Sequence, residues 1–358
     1  MKVITDNAVA KFLNSYLDRN TILDEFRPTL VNSLTAYSTN PDQIVPPRIV
    51  QQSNNSNSDT THVFMPCVSP TEVGIKVISG GPGNNSKGLG FQGCVLVIDE
   101  ITGQLQAVIN ANTLTAFRTA LASTLGLTKV IDINDEILLP ELTVFGVGLQ
   151  AYWHVKLTLI LYGAEKIKTV NIINRSLANA IKLKEKFEKE FTNVQFNGFS
   201  NGEEEDDSVF KDHILNSSII FGCVPVSIPV IKEEYINKDP KWPKFISLIG
   251  SYKPHMIELD LDFIKKLKSR GVQIIVDSKT HTLHEAGELI QSEYKADQLI
   301  EIHKLYSENA VTKDSSYTDP TTNTTVQKIV GLSIMDLSIG KLIYNKAVDN
   351  DIVCIPNF

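Results

Sequence analysis

The chain has 358 residues, enough for two domains with sizeable cores at ~100–200 residues per domain. Its 42% hydrophobic and 21% charged residues describe an ordinary globular protein and exclude a disordered or fibrous one. The 34 Lys and Arg against 41 Asp and Glu leave a net charge of −7, with no basic excess or basic face to suit nucleic acid or an anionic membrane.

No stretch approaches the ~18 consecutive apolar residues of a transmembrane helix, so no membrane partner is expected. The N-terminus, MKVITDNAVAKFLNSYLDRN, has neither an uninterrupted apolar segment nor a small-residue cleavage site. It is expected to be mature protein, not signal peptide. Cys67, Cys94, Cys223 and Cys354 are scattered without a CxxC pair, which points to reduced thiols in the cytoplasm and to no structural metal. Without a secretory signal, sequons such as Asn84-Asn85-Ser86 carry little weight.

In chain order, the polar run Gln51–Thr61 reads as a solvated loop. Val73–Ser79 and Gly93–Ile98 are rich in β-branched residues and read as strands around a glycine-rich turn. The apolar spacing then becomes helical, and Thr113–Lys129 reads as a helix opening on a Thr that can cap it. Leu142–Gly146, Thr169–Ile173, Ser218–Cys223, Phe245–Ile249 and Val272–Val276 are short apolar strands, with helices over Gln150–Tyr162 and Leu177–Phe191. This alternation predicts a parallel sheet with helices on both faces. Glu203–Asp207 reads as a solvated acidic loop, and Ser315–Thr325 as a loop separating the central block from a tail helix over Val330–Val348.

Gly146-Val147-Gly148-Leu149-Gln150-Ala151 is a G-x-G-x-x-A directly after an apolar strand and opening a helix. Gly146 permits the tight turn, Gly148 lets backbone amides approach a pyrophosphate, and Ala151 lets the helix sit close to the sheet. The pattern predicts a dinucleotide site. The second strand ends in Asn174-Arg175-Ser176, where a carboxylate would select NAD. A guanidinium and a hydroxyl there favour a 2′-phosphate, so NADP(H) is expected to be preferred, with NAD(H) possible.

Several segments together resemble the ornithine cyclodeaminase/mu-crystallin family, from about residue 45 to residue 347. They are GIKVISGGPGNNSKGLGFQGCVLVID, ANTLTAFRTALAS, GVGLQA, LIGSYKPHMIELD, IIVDSKTHTLHEAGEL and IVGLSIMDL, in the family's order. The resemblance implies an α/β protein in which a Rossmann-type doubly wound parallel-sheet domain (130–315) is inserted into an α+β substrate-binding and dimerisation domain (1–129 plus 316–358). It implies a homodimer that binds NAD(P)(H) and acts on a small imino or amino acid. Carried over residue by residue, Arg48, Lys76 and Arg118 hold the substrate carboxylate, Lys76 exchanges a proton with the substrate nitrogen, and Gln92 lines the cleft. Gly146, Gly148, Leu149, Gln150, Ala151, Asn174, Arg175, Ser176, Cys223, Val224 and Gly250 face the cofactor. Arg offers a carboxylate a planar fork and Lys a point charge.

The departures shape the functional expectation. Tyr252 stands where ornithine cyclodeaminases carry an Asp, Ile329 replaces a Ser, and Gly222-Cys223-Val224-Pro225 replaces a Thr-rich strand end. Ketimine reductase-like chemistry loses least by these changes. A catalytically eroded NADP(H)-binding protein is the second reading, and ornithine cyclodeaminase the third. His281, His284 and Glu285 lack the HExxH spacing of a zinc helix. Asp277 and Ser278 suit either a ligand contact at a strand end or a helix cap. His154 is expected to be packed or solvated.

Overall fold

The computed structural model describes residues 1–137, 139–202, 207–307, 316–347 and 352–355. Most of the acidic run (Glu203 to Asp206) and Ser315 lie outside them. The chain divides into two compact units, Met1–Thr119 with Gly331–Phe358, and Ala120–Val330.

The first unit is built on a seven-stranded sheet. Its strands are β1 (Lys2–Ile4), β2 (Ile49–Gln52), β3 (Thr61–Val68), β4 (Val73–Gly80), β5 (Gln92–Ile98), β6 (Leu105–Asn110) and the C-terminal strand Ile352–Cys354. Their order is Ile352–Cys354, β1, β6, β5, β4, β3, β2, antiparallel except for β1 beside β6. Alternation puts Val63, Met65 and Cys67 of β3, Gly74 and Lys76 of β4, and Val95 and Val97 of β5 on the buried side. Helix Ser333–Lys346 packs on β3, β4 and β5. A Cβ at Gly74 would fall 2.7 Å from Leu337, so β4 and this helix meet as closely as glycine allows. Two helices the strand-like reading of this block did not place, Asp6–Tyr16 and Arg27–Thr39, also belong to this unit.

Helix Ala111–Val130 starts two residues before the expected Thr cap. The Thr113 N–H instead donates to Asp6 Oδ1 at 2.8 Å, a carboxylate at a helix N-terminus.

The second unit is a Rossmann-type α/β domain. Its strands are β7 (Glu141–Phe145), β8 (Thr169–Asn174), β9 (Gln195–Ser200), β10 (Ser217–Gly222), β11 (Lys244–Leu248), β12 (Ile274–Val276), β13 (Leu299–Glu301), β14 (Thr318–Asp319) and β15 (Thr324–Lys328). The order β13-β12-β15-β11-β10-β7-β8-β9 is parallel throughout, and β14 pairs antiparallel with β15. Strands β7, β10, β11 and β15 are buried along their whole length, as central parallel strands are. Succession runs one way through β8 and β9 and the other way from β10, so the order reverses between β7 and β10. A crevice at the carboxyl ends of such strands is where ligands bind in this architecture.

The observed division points differ from the expected 129/130 and 315/316. Strand β15 lies between β11 and β12, so the late polar segment leads into the parallel sheet before the chain leaves it. No helix among the described residues is long and apolar enough to cross a membrane.

Candidate active site

In the second unit, Gly146 follows β7 at φ +112°, a conformation side chains rarely adopt. A Cβ there would lie 2.8 Å from the Cys223 carbonyl and 3.1 Å from Val224 Cγ1. Glycine is therefore required by the turn and by the approach of the β10 end. Gly148 differs. It caps helix Leu149–Tyr162 at φ −77°, which any residue adopts, and a Cβ there would meet nothing within 4 Å. The fold does not need glycine at 148, whereas a pyrophosphate approaching the backbone does.

Leu149 is 44% exposed, Ala151 is buried against the sheet, and Gln150 Oε1 is buried without a hydrogen-bond partner among the described residues. The Tyr152 N–H is the first to close a turn, onto the Gly148 carbonyl at 3.0 Å. The N–H groups before it form the donor set that binds anions at helix N-termini. This cradle fits a dinucleotide pyrophosphate on its own geometry.

Asn174, Arg175 and Ser176 lie at the carboxyl end of β8, beside β7. Asn174 Nδ2 donates to the Ser176 carbonyl at 3.1 Å, and Arg175 is exposed, its carbonyl accepting from Ser200 Oγ at 3.3 Å. Cys223 and Val224 follow β10 and Gly250 follows β11, so the expected cofactor residues gather at the carboxyl ends of four neighbouring parallel strands. Burial and the nearby Glu258 push the Cys223 thiol well above its ordinary pKa, so it holds its proton.

In the first unit, β4 carries Lys76 to the buried face, where it is 1% exposed. Its Nζ donates to Asp336 Oδ1 at 2.9 Å and to Thr115 Oγ1 at 2.8 Å. Arg118, 4% exposed and three residues beyond Thr115 on the same helix, donates from Nε to the same Asp336 oxygen at 3.0 Å. Asp336 is fully buried, and its Oδ2 has no hydrogen-bond partner among the described residues. Gly331, at φ +86°, passes so close to Arg118 that a Cβ would lie 2.7 Å from Nη1. Its carbonyl accepts from Arg48 Nη2 at 2.8 Å. Arg48, Lys76 and Arg118 are thus linked through Gly331 and Asp336.

Burial pulls Lys76 down to about 8, with Asp336 resisting and Arg118 and Arg48 assisting. Burial also acts to raise Asp336, but the Arg118 and Lys76 charges outweigh it and hold its pKa below the ordinary carboxylate value.

Gln92 does not join this group. It stands opposite Ser79, whereas Lys76 stands opposite Val95, an odd number of residues along, which puts the two side chains on opposite faces of the sheet. Gln92 Nε2 instead donates to the Leu89 and Phe91 carbonyls of its own loop.

Other sequence candidates resolve into packing. His154 is buried against Phe221, with Nε2 2.8 Å from Ser123 Oγ and Nδ1 2.7 Å from the Gln150 carbonyl, and burial lowers it to about 4. Ser278 Oγ accepts the His281 N–H at the start of helix Lys279–Glu285, and Asp277 Oδ1 accepts the Val330 N–H at 3.3 Å. Ile329 is buried, and burial raises the Tyr252 hydroxyl pKa. Among the described residues, no three His, Cys, Asp or Glu side chains gather as metal ligands would.

Asp336, Thr115, Glu258, Glu288 and Lys328 were not picked out from the sequence. A signal existed for Asp336: Lys76 and Arg118 both lie in apolar runs and need a buried counter-ion, and Asp336 is the only acid in helix Ser333–Lys346.

The molecule therefore combines a Rossmann-type nucleotide cradle with a separate buried seat whose cations outnumber its acids. It belongs to the ornithine cyclodeaminase/mu-crystallin family, whose profile matches residues 13–351. An uncharacterised protein of Saccharomyces cerevisiae is 36% identical over 369 residues, covering 95% of each chain. The ketimine reductase mu-crystallin of Rattus norvegicus is 26% identical over 284 residues, covering 78% of this chain and 79% of its own. Among solved structures, the Delta(1)-pyrroline-2-carboxylate reductase of Thermococcus litoralis, in complex with NADH and L-proline, superposes with a TM-score of 0.76 over 97% of both chains at 19% identity. That likeness shows a shared fold.

Proposed function

We propose that this protein is an NAD(P)H-dependent reductase of imino acids, of the ketimine reductase kind. The observation that carries the reading is the buried seat in which Lys76 and Arg118 share the single carboxylate of Asp336 while Arg48 is tied in through Gly331. Two buried cations, Lys76 and Arg118, against the one carboxylate of Asp336 leave a charge imbalance that a substrate carboxylate fills. When bound, a reduced nicotinamide supplies a hydride to the C=N carbon. Arg48 and Arg118 hold the carboxylate, and Lys76 gives its Nζ proton to the nitrogen, so the imine becomes an amine. With Lys76 drawn down to about 8, that proton is easily released near neutral pH. The relatives named ketimine reductase and pyrroline-2-carboxylate reductase support the same class.

The first unit is proposed as the substrate-binding and dimerisation domain and the second as the nucleotide domain. Exposed Arg175 and half-buried Ser176 at the end of β8 support a preference for NADP(H). Exposed Ile49 and Val50 on edge strand β2 support a homodimer, and four free cysteines support a cytoplasmic setting. Tyr252 in place of a carboxylate argues against ornithine cyclisation, since a phenol whose pKa is raised by burial makes a poor base.

The test is consumption of NADPH or NADH with five- and six-membered cyclic ketimine carboxylates and with pyruvate plus ammonia. Turnover with at least one of these is expected. Nucleotide binding without turnover on any of them would favour the eroded binding protein.

A further inference from the structure

Two sequence segments, Glu258-Leu259-Asp260 and Glu285-Ala286-Gly287-Glu288, take no part in that chemistry. In the second unit, Glu258 and Glu288 meet Ser251 and Lys328 in a buried polar knot at the carboxyl ends of β11 and β15. Glu258 Oε1 accepts the Val224 N–H at 2.9 Å. Its Oε2 accepts the Gly250 N–H at 2.7 Å and the Ser251 N–H at 3.2 Å. One carboxylate thus fastens the segment after β10 to the segment after β11.

We infer that Glu258 is a positioning residue of the nucleotide crevice, holding Val224 against Gly250 so that the wall beside Gly146 has a fixed shape. The inference rests on the nucleotide-binding part of the proposed function. The backbone is built around this fastening. A Cβ at Gly222 would lie 2.7 Å from Glu258 Oε1, and one at Gly250 would lie 2.2 Å from the Val224 carbonyl. Glycine is needed at both places for the carboxylate and the two chain segments to approach. The wall reaches the cradle directly, because a Cβ at Gly146 would meet the Cys223 carbonyl and Val224 Cγ1.

The knot also sets the condition for the fastening. Both Glu258 oxygens face N–H donors, so protonation would turn one acceptor into a hydroxyl aimed at a donor and release that segment. The charged or titratable groups facing Glu258 are Lys328, 3.9 Å from its Oε2, Glu288, whose Oε1 accepts the Glu258 N–H at 2.7 Å, and Cys223, which holds its proton. Burial raises Glu258 to about 7, with Lys328 opposing and Glu288 assisting, so the fastening tightens as pH rises through neutrality.

The experiment is fluorescence titration of NADH and, separately, NADPH into the full-length protein across pH 5.5 to 8.5, roughly one and a half units either side of the Glu258 value of about 7. Wild-type affinity should weaken on the acid side with a midpoint near 7. Glu258→Gln keeps the size but puts an amide donor against N–H donors, so it should bind about tenfold more weakly at the alkaline end, with little pH dependence. Wild-type binding that is flat across this range overturns the inference without any variant. A folded Glu258→Gln protein, checked by circular dichroism, that binds as wild type does also overturns it. Binding of neither nucleotide at any pH would remove the nucleotide reading and the inference together, a result distinct from tight, pH-independent binding.

Discussion

The two units treat buried charge in opposite proportions. In the first, Asp336 is one carboxylate between two buried cations, Lys76 and Arg118. In the second, Lys328 is one ammonium among two buried carboxylates, Glu258 and Glu288. The difference lies in what makes up the deficit. The acidic knot is satisfied from within, by the N–H groups of Val224, Gly250 and Ser251, the Glu258 N–H and the Ser251 hydroxyl. Among the described residues, Lys76 and Arg118 have few internal acceptors besides Asp336: Thr115 Oγ1 takes one bond from Lys76, and Met335 Sδ lies 3.8 Å from Arg118 Nη1. A buried imbalance that the fold itself repairs acts as a fastening, whereas one left for a ligand to repair acts as a binding site.

The largest effect should come from removing the single acid of the seat. Asp336→Asn leaves Lys76 and Arg118 buried with no counter-ion, and breaking such a pair costs ~3–5 kcal/mol, readable by urea denaturation. The same variant should move a pH profile. Lys76 must carry its proton to deliver it, so turnover is present below its folded value of about 8 and is lost as pH rises through it. Because Asp336 is what raises Lys76 against burial, the Asn variant should lose turnover at lower pH than wild type. A destabilised variant with an unmoved alkaline limb would make Asp336 a purely structural partner.

A smaller pair of effects separates fold from ligand in the other unit. Gly146→Ala forces a side chain into φ +112° against the Cys223 carbonyl and should cost ~1–3 kcal/mol in thermal or urea stability. Gly148→Ala meets no protein atom, so stability should stay within ~0.5 kcal/mol of wild type while dinucleotide affinity falls about tenfold. Equal stability losses at both positions would mean that Gly148 serves the turn and not a phosphate.

Much of this was legible in the sequence, and the gaps have physical causes. Strands β4, β5, β7, β8, β10 and β11 announce themselves through β-branched apolar runs bounded by turn residues. Strand β15 does not, because its sequence is TTVQK. It is buried all the same, because its polar groups find partners. Thr325 Oγ1 meets Thr318 Oγ1 at 2.8 Å, Gln327 Nε2 donates to the Ala122 carbonyl at 3.1 Å, and Lys328 donates to Ser251 Oγ. A strand made by tertiary hydrogen bonding leaves no hydrophobic period to read, and the expected domain edge at 315/316 fell on the wrong side of it.

Helix Arg27–Thr39 was missed for a related reason. Its Ser, Thr and β-branched residues are indifferent helix formers, and the helix exists because Leu30, Ser33, Leu34 and Tyr37 form a buried stripe against helix Ser333–Lys346. In the seat, Lys76 and Arg118 could be named from local sequence. Their shared partner lies more than 200 residues further on, at 336, a distance no local pattern spans. The resemblance put Gln92 at the cleft with Lys76, and only the β4–β5 pairing shows that the two side chains stand on opposite faces of the sheet.

The central claim, that the first unit holds a seat short of one carboxylate, is tested most directly by calorimetric titration of the nucleotide-saturated protein with pyrrole-2-carboxylate, a planar anion that cannot be reduced as an imine, and with its uncharged methyl ester. The account predicts that the acid binds, that the ester does not, and that Arg118→Gln abolishes binding of the acid while leaving nucleotide affinity unchanged. Equal binding of acid and ester, or full binding of the acid to Arg118→Gln, would contradict it.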